Sequence, residues 1–278
     1  MKAADRVACA VVVVIAVCFV SLMSAQSPGA PNSVTCKPLV LYDDFNGQRI
    51  DPAKWDDWTA SERMFEVVRE LSPQYQGQGN NRRLHMLHRT YSETFDDYDA
   101  NYGWIGLPTT NPSSIVDISF EVTVNSATAS GCQSNPLGSG AWAGFVGRYF
   151  NYGGQQDSSQ DAEAQIALHR SSDDTGTPLS VYASVNAADV NTMQFLGLVS
   201  LGKTAKLRLK WDQPNHHFTF QLNTNPAVMI GYGVPDTSPP AIPLKAFWVA
   251  GGTPHCTTTP IASEAMDAYF DNVYVNAQ

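Results

Sequence analysis

The feature that most constrains the fold of this chain is that strand-like sequence both opens and closes its folded region. Residues 41–47 and residues 266–276 have the alternation and aromatic content of strands. No long stretch between them shows a helical period bounded by capping residues. Many antiparallel strands must protect their edges, and two packed sheets achieve this. The sequence therefore predicts an all-β fold, a two-sheet antiparallel β-sandwich of the jelly-roll type with adjacent first and last strands.

Alternating apolar residues mark the individual strands. Residues 115–124 alternate apolar and polar side chains, which is typical of a strand with one wet face. Residues 205–211 and 218–222 alternate around a polar turn and predict a hairpin. Further strands are predicted near residues 39–45, 64–70, 82–91, 141–151, 161–170, 178–186, 194–201, 227–233, 244–250 and 267–276. Because the sequence contains no internal repeat or linker, residues 38–278 are expected to form a single domain.

The N-terminus has the composition of a secretory signal. Two basic residues precede an apolar run at residues 7–20, and small residues follow it. We therefore expect a signal peptide at residues 1–25, a flexible leader at residues 26–37, and a secreted, extracellular or periplasmic protein. Met23 is large for a position near the cleavage site. An uncleaved N-terminal anchor is thus the one form of membrane association that the sequence leaves open.

The charge balance argues against one class of partner. The chain has 17 Lys and Arg against 26 Asp and Glu, a formal net charge of −9, and no long basic run. Nucleic acids are held by basic patches, so no nucleic-acid partner is expected. An acidic polysaccharide would also be repelled unless it met a local basic groove.

The cysteines predict one disulfide. Cys9 and Cys18 fall within the signal, and Cys36, Cys132 and Cys256 remain after it. Export favours a bridge, and three cysteines allow three pairings with one thiol left over. Cys132 and Cys256 both lie in turn-rich segments that can approach each other. We favour the Cys132–Cys256 pairing.

The two end motifs carry a resemblance to a known superfamily. Residues 42–47 (Tyr-Asp-Asp-Phe-Asn-Gly), with Asp51 and Trp55, are similar to the opening of concanavalin A-like lectin/glucanase domains. Residues 270–275 (Phe-Asp-Asn-Val-Tyr-Val) resemble their closing strand. The likeness covers most of residues 39–276 and extends to secreted bacterial jelly-roll proteins of that superfamily. Since the superfamily includes lectins, β-glucanases and polysaccharide lyases, the resemblance implies a carbohydrate context without naming a reaction.

One strand carries the best candidates for chemistry. In residues 161–170, Asp161, Glu163, Gln165 and His169 alternate with apolar residues and so share one face. Laminarinase-type glucanases of the superfamily carry Glu-x-Asp-x-x-Glu on a central strand, and the likeness marks Asp161 and Glu163 as candidate catalytic residues. His169 is a further catalytic candidate, from the lyase pattern described below. Gln165 departs from the pattern, because an amide stands where an acid would be expected and cannot transfer a proton. A glycoside hydrolase therefore remains one enzymatic alternative.

A polysaccharide lyase is the other enzymatic alternative. Three segments of this chain resemble strand motifs of alginate-lyase-type jelly rolls: Arg69-Glu-Leu71, Gln165 with His169, and residues 149–153. The spacing and order differ, since His169 is four residues from Gln165 and the tyrosine segment precedes both.

The leading hypothesis is a non-catalytic carbohydrate-binding face. Sugar recognition needs aromatic platforms and planar polar side chains, and one set of residues offers both: Trp142, Arg148, Glu163, Gln165, His169, Arg69 and Arg89. A structural surface domain without a ligand is the third reading, because alternating polar residues also make an ordinary solvated face. The other tryptophans are expected in the core or at seams: Trp55, Trp58, Trp104, Trp211 and Trp248. Residues 93–104 are expected to form an acidic, aromatic loop.

No metal or cofactor is expected from the spacing of the histidines and cysteines. The one candidate metal site is a structural Ca²⁺ held by Asp44 and Asp271 near the paired ends, where capping and turn hydrogen bonds are the alternative role for these carboxylates.

Overall fold

The alternating segments of the sequence form two antiparallel sheets that pack face to face. The computed structural model describes residues 38–57, 59–60, 66–73, 81–92, 101–135, 138–154, 157–174 and 176–276. Its strands are β1 Leu39–Asp43, β2 Thr59–Ala60, β3 Glu66–Pro73, β4 Arg82–Tyr91, β5 Asn101–Pro108, β6 Asp117–Ser130, β7 Gly140–Asn151, β8 Asp161–Ser171, β9 Leu179–Ala187, β10 Val190–Val199, β11 Thr204–Asp212, β12 His217–Leu222, β13 Val228–Gly231, β14 Lys245–Thr253 and β15 Ser263–Asn276. The helices described are single 3₁₀ turns at Pro112–Ser114, Ser158–Gln160 and Gln213–Asn215.

Each sheet is a continuous antiparallel ladder. The first sheet has eight strands in the order β13-β12-β11-β6-β15-β4-β3, with β1 also paired to β15. The second sheet has seven strands in the order β10-β9-β8-β7-β14-β5-β2. The described residues from 38 to 276 belong to one compact unit. The predicted all-β, two-sheet antiparallel sandwich is confirmed.

The first and last strands are adjacent, as the end motifs predicted. In the β1–β15 pair, Leu39 lies opposite Asn276. Trp55 of the opening motif is buried in the core, and its Nε1 donates a hydrogen bond to Oδ2 of Asp43 at 2.7 Å. The opening motif therefore fixes the end of β1 against the core.

Phenylalanines from both sheets meet at the centre of the sandwich. Phe120 and Phe270 come from the first sheet, Phe145 and Phe247 from the second, and all four are fully buried. Ring centroids lie 4.9 Å apart for Phe120 and Phe247, and 4.8 Å apart for Phe247 and Phe270. Burial of one such side chain stabilises a fold by about 1.5–3 kcal/mol, so this cluster joins the two sheets firmly.

The strand positions were predicted well except around β5. The predicted hairpin is β11 and β12, with Trp211 opposite Phe218. The loop predicted at residues 93–104 is wrong in its last part, because Asn101–Pro108 is a strand between β14 and β2. Gly103 and Gly106 weaken the local strand propensity, and pairing with β14 overrides it. Residues 93–100 lie outside the described residues.

The predicted Cys132–Cys256 disulfide is confirmed, with Cα atoms 6.0 Å apart. It ties the turn after β6 to the segment between β14 and β15. Cys36, the predicted signal peptide at residues 1–25 and the leader at residues 26–37 lie outside the described residues. No helix within the described ranges has the length and hydropathy needed to span a membrane.

Candidate functional site

The outward face of the second sheet carries an apolar cluster that is separate from the main core. Its buried members are Ala167, Trp248 and Ala250, and Trp104 and Trp142 pack against them. The strand registers explain this grouping, since Ala250 of β14 lies opposite Trp104 on one side and Trp142 on the other. Three tryptophans from β5, β7 and β14 therefore form one aromatic floor on the surface of the sandwich.

Small residues flank the central tryptophan of the floor. Trp248 lies opposite Gly106 on β5 and Gly144 on β7. A Cβ atom at Gly144 would collide with the backbone of Ile166 and Ala167 on the neighbouring strand. The row beside Trp248 thus carries no side chains at Gly106 and Gly144, and Trp248 itself is buried among its neighbours.

The floor continues into a shallow groove that has one polar end. The groove encloses about 210 Å³ and is lined by Trp104, Val146, Arg148, Glu163, Gln165, Leu244, Ala246 and Trp248. Arg148 and Glu163 lie opposite each other on β7 and β8, with Nε and Oε2 3.8 Å apart. Gln165 donates from Nε2 to Oγ of Ser184 at 2.9 Å. Guanidinium, carboxylate and amide groups therefore border the same surface.

The only carboxylate among the described residues that line this groove belongs to Glu163. Burial raises its pKa above the ordinary value, and the neighbouring Arg148 guanidinium opposes that rise. Its side chain is still 35% exposed, so the carboxylate can contact a ligand.

Asp161, the second predicted carboxylate, is committed to a structural role. Its Oδ1 accepts hydrogen bonds from Nδ2 of Asn151 at 3.0 Å and from the backbone N of Ala241 at 2.7 Å. Its Oδ2 accepts from the backbone N of Ile242 at 3.0 Å. The side chain is 1% exposed. Asp161 thus anchors the segment between β13 and β14 and does not line the groove.

His169 belongs to an aromatic row instead of the polar end. Its ring stacks on Trp142 with centroids 4.9 Å apart, and it contacts Tyr182 edge-on at 5.9 Å. Burial lowers the pKa of His169. Six residues of strand separate it from Glu163, which is about 20 Å along β8. His169 and Glu163 therefore do not meet at one reacting bond.

Two predicted ligand residues lie on the other sheet. Arg69 is on β3, opposite Met86 of β4, and Arg89 is on β4, opposite Ala265 of β15. The prediction that they join the face of Arg148 and Glu163 is therefore corrected. Strand alternation gives the face of each residue but not the sheet to which its strand belongs, and β3 and β4 pair into the first sheet.

Trp104 and Trp248 are the groove residues that the sequence analysis missed. Both were expected in the core or at seams; Trp248 is indeed buried, in the outward-facing cluster, and both residues line the groove. A signal was present for Trp248, because residues 245–250 are apolar at nearly every position and so supply both an inner and an outer face. Trp55 is buried in the core and Trp211 packs partly buried against it, as predicted. Trp58 lies outside the described residues.

The proposed calcium ligands lie in a carboxylate-rich corner. Burial raises the pKa of Asp271 to about 6, and the nearby Glu121 and Asp44 carboxylates add to that rise. Each aspartate already accepts a backbone hydrogen bond, from Asn272 in the case of Asp271 and from Asn46 in the case of Asp44. No group of three His, Cys, Asp or Glu side chains in the described ranges is arranged around a metal position. The structural calcium stays a prediction.

Fold and groove together define a two-sheet β-sandwich with an aromatic-floored surface groove. No protein-family model matches the chain, and no curated protein matches it. Among solved structures it is similar to LamAcat from Zobellia galactanivorans, with 9% identity over 84% of this chain and 96% of the other and a TM-score of 0.41. The chain is also similar to an alginate lyase from Klebsiella pneumoniae, with 11% identity over 70% of this chain and 82% of the other and a TM-score of 0.40.

Lectin II from Ulex europaeus is also similar, with 11% identity over 78% of this chain and 98% of the other and a TM-score of 0.27. These neighbours are concanavalin A-like jelly-roll proteins, the superfamily that the end motifs resemble.

Proposed function

We propose that this protein binds a glycan in the groove of the second sheet without cleaving it. The observation that carries the proposal is the composition of the groove: an aromatic floor of Trp104 and Trp248 beside a polar end with a single carboxylate. Binding sites combine apolar surface with a few convergent polar groups in this way. The partly buried Trp104 offers a flat face to a sugar ring, and the buried Trp248 completes the apolar floor beside it. Arg148, Glu163 and Gln165 offer hydrogen bonds to hydroxyl groups.

The same composition argues against glycoside hydrolysis. Hydrolysis of this type uses two carboxyl groups, about 5–5.5 Å apart for retention and about 6.5–9.5 Å apart for inversion. Glu163 supplies one carboxyl group in the described lining of the groove. Asp161 is sequestered by three hydrogen bonds, and Gln165 cannot exchange a proton.

The lyase alternative lacks a converging acid and base. Tyr149, part of its candidate tyrosine segment, packs in the core with its ring 4.9 Å from Phe218. Gln165 and Glu163 face the groove on the opposite side of the second sheet. His169 is four residues from Gln165, about 13 Å along the strand. A lyase needs its proton donor and acceptor within hydrogen-bond reach of one sugar, and these residues do not provide that arrangement.

A neutral glycan fits the charges better than an acidic one. The Arg148 guanidinium already faces Glu163 at 3.8 Å, so it is not available as a separate anion site. The chain also has a net charge of −9, which disfavours approach of a polyanion.

The experiment that tests this function is a glycan array followed by calorimetry on the best ligand. We expect Trp248→Ala and Trp104→Ala to weaken binding at least about tenfold, which corresponds to about 1.4 kcal/mol. Glu163→Gln, which preserves shape and removes charge, should weaken it less. Tyr274→Ala, an aromatic truncation on the first sheet, is the matched control and should leave affinity unchanged.

Turnover assays separate this proposal from its alternatives. Reducing-sugar release or unsaturated uronate formation by the wild type, abolished in Glu163→Gln, would establish an enzyme in place of a binding protein. Absence of any glycan binding by the wild type would favour a structural surface domain. Secretion through residues 1–25 stays a prediction, and the Cys132–Cys256 bridge is compatible with it.

A further inference from the structure

A second cavity lies on the inner side of the second sheet, behind the polar end of the groove. It encloses about 240 Å³, is partly open to solvent, and has Tyr149, Trp211, Pro239, Pro240, Asp236 and Lys245 among its lining residues. We call it the end cavity. The alternation of β7 separates the two sites, because Arg148 lines the groove and the next residue, Tyr149, lines the end cavity.

We propose that the end cavity binds a small organic carboxylate, held by the Lys245 ammonium and the Tyr149 hydroxyl. This site is independent of the groove and of the function proposed for it. Its apolar walls, formed by Trp211 and the two prolines, suit a ligand with a ring or short hydrocarbon body next to the carboxylate.

Lys245 is a buried cation without an acidic partner. Its residue is 3% exposed, and no carboxylate of the described residues lies within ion-pair distance of Nζ. Its Nζ donates to the backbone O of Arg148 at 3.2 Å and lies 4.2 Å from the centroid of the Tyr149 ring. A buried charge that lacks a counter-ion is costly, and a carboxylate in the cavity would supply one. Burial alone lowers the pKa of Lys245 to about 7.

Tyr149 adds a second unmet donor. The residue is 4% exposed, and its hydroxyl has no hydrogen-bond partner among the residues that the structure describes. Buried hydroxyl groups are normally paired, so an unpaired hydroxyl on the ring that the Lys245 ammonium overlies indicates a missing acceptor. A carboxylate has two acceptor oxygens and can satisfy both groups.

The acids near the end cavity are already engaged. Asp236 accepts at Oδ2 from the hydroxyl of Tyr232 at 2.6 Å and lies 3.0 Å from Nδ1 of His216. Asp117 forms a two-point pair with Arg208, at 2.9 and 2.7 Å. These contacts offset the repulsion that each carboxylate would exert on an incoming anion. They also leave Lys245 as the cation in the cavity lining that lacks an acidic partner.

Calorimetry with benzoate, acetate and benzyl alcohol tests the proposal on the full chain. Benzoate should bind saturably and more tightly than acetate, and benzyl alcohol, which has the ring without the charge, should not bind. Lys245→Met should weaken benzoate at least about tenfold, and Tyr149→Phe by about fivefold, the value of one hydrogen bond of about 1 kcal/mol. Lys206→Met is the matched control, because Lys206 also lies over a tyrosine ring, at 5.8 Å from Tyr274.

Proton uptake gives an independent readout. Carboxylate binding favours the ammonium form of Lys245, so binding at about pH 8 should take up nearly one proton per ligand, while binding at about pH 5.5 takes up almost none. Lys245→Met removes a costly buried charge and Tyr149→Phe keeps the ring, so both variants should fold, which thermal melting checks. The proposal is overturned if no carboxylate binds saturably, if benzyl alcohol binds as well as benzoate, or if Lys245→Met changes affinity less than about twofold.

Discussion

The buried pair of His88 and Glu264 offers the sharpest test of what holds this sandwich together. Nδ1 of His88 and Oε1 of Glu264 are 2.8 Å apart, and both side chains are fully buried. The two residues lie on neighbouring strands, β4 and β15. The Glu264 carboxylate also lies against Gly251 of the second sheet, so closely that a Cβ atom there would overlap it. The pair therefore joins both layers.

The loss of stability expected on removing one partner follows from the burial of the pair. Burial raises the pKa of Glu264, and His88 opposes that rise, so each group depends on the other in the core. Removing one partner of a buried pair costs about 3–5 kcal/mol, because the other is left without compensation. At about 2–4 °C per kcal/mol for a chain of this size, the melting temperature should fall by about 6–20 °C. Lys54→Met, which breaks exposed pairs such as that with Asp51, should cost less than about 1 kcal/mol.

The assay is urea unfolding of His88→Leu, Glu264→Leu and the double variant. Each single substitution should lower the free energy of unfolding by about 3–5 kcal/mol. The double variant should lose much less than the sum, since well-packed apolar residues can replace a buried polar pair at little cost. Single losses below about 1 kcal/mol, or additive losses in the double variant, would refute the reasoning.

Two further predictions concern other polar clusters. Burial of the His85 imidazole lowers its pKa, but hydrogen bonds to Asp267 at 2.7 Å and Glu70 at 3.2 Å outweigh burial and raise it. The stabilisation by protonated His85 is present below about pH 6.5 and is lost as the pH rises through the folded-state pKa. The difference in unfolding free energy between wild type and His85→Gln should therefore shrink from about pH 5.5 to about pH 8.5. A difference that stays constant over this range would contradict the prediction. Asp161→Ala should cost about 1–3 kcal/mol and speed amide hydrogen exchange at residues 241–242, whereas a catalytic role would leave exchange unchanged.

The sequence predicted the layers of the fold because burial imposes a period of two on each strand. Val116 was predicted inside this strand but lies one residue before β6, and the inward positions from Ile118 to Val124 are all buried, as their alternation indicated. The disulfide was also predictable, since two cysteines in turn-rich segments are free to approach. β5 escaped prediction because its glycines carry little strand propensity and its position is set by pairing with β14.

The candidate site was predictable only along single strands. Glu163, Gln165 and Arg148 share the groove because alternation and the β7–β8 register bring them together. Arg69 and Arg89 were misplaced because sheet membership depends on pairings between distant segments. Asp161 alternates in step with Glu163 along β8, so the sequence predicted the same role for both. The segment after β13 instead binds the Asp161 carboxylate, and no local sequence pattern reveals that contact.

Asp161 connects the two proposed sites without lining either of them. Its carboxylate fixes the backbone of residues 241–242, and the same segment supplies Leu244 to the groove and Pro239 and Pro240 to the end cavity. A bulge between Arg148 and Phe150 brings β7 into register beside this anchor. Asp161, a predicted catalytic candidate, thus has a structural effect on both sites, because its hydrogen bonds hold in place a segment that lines each of them.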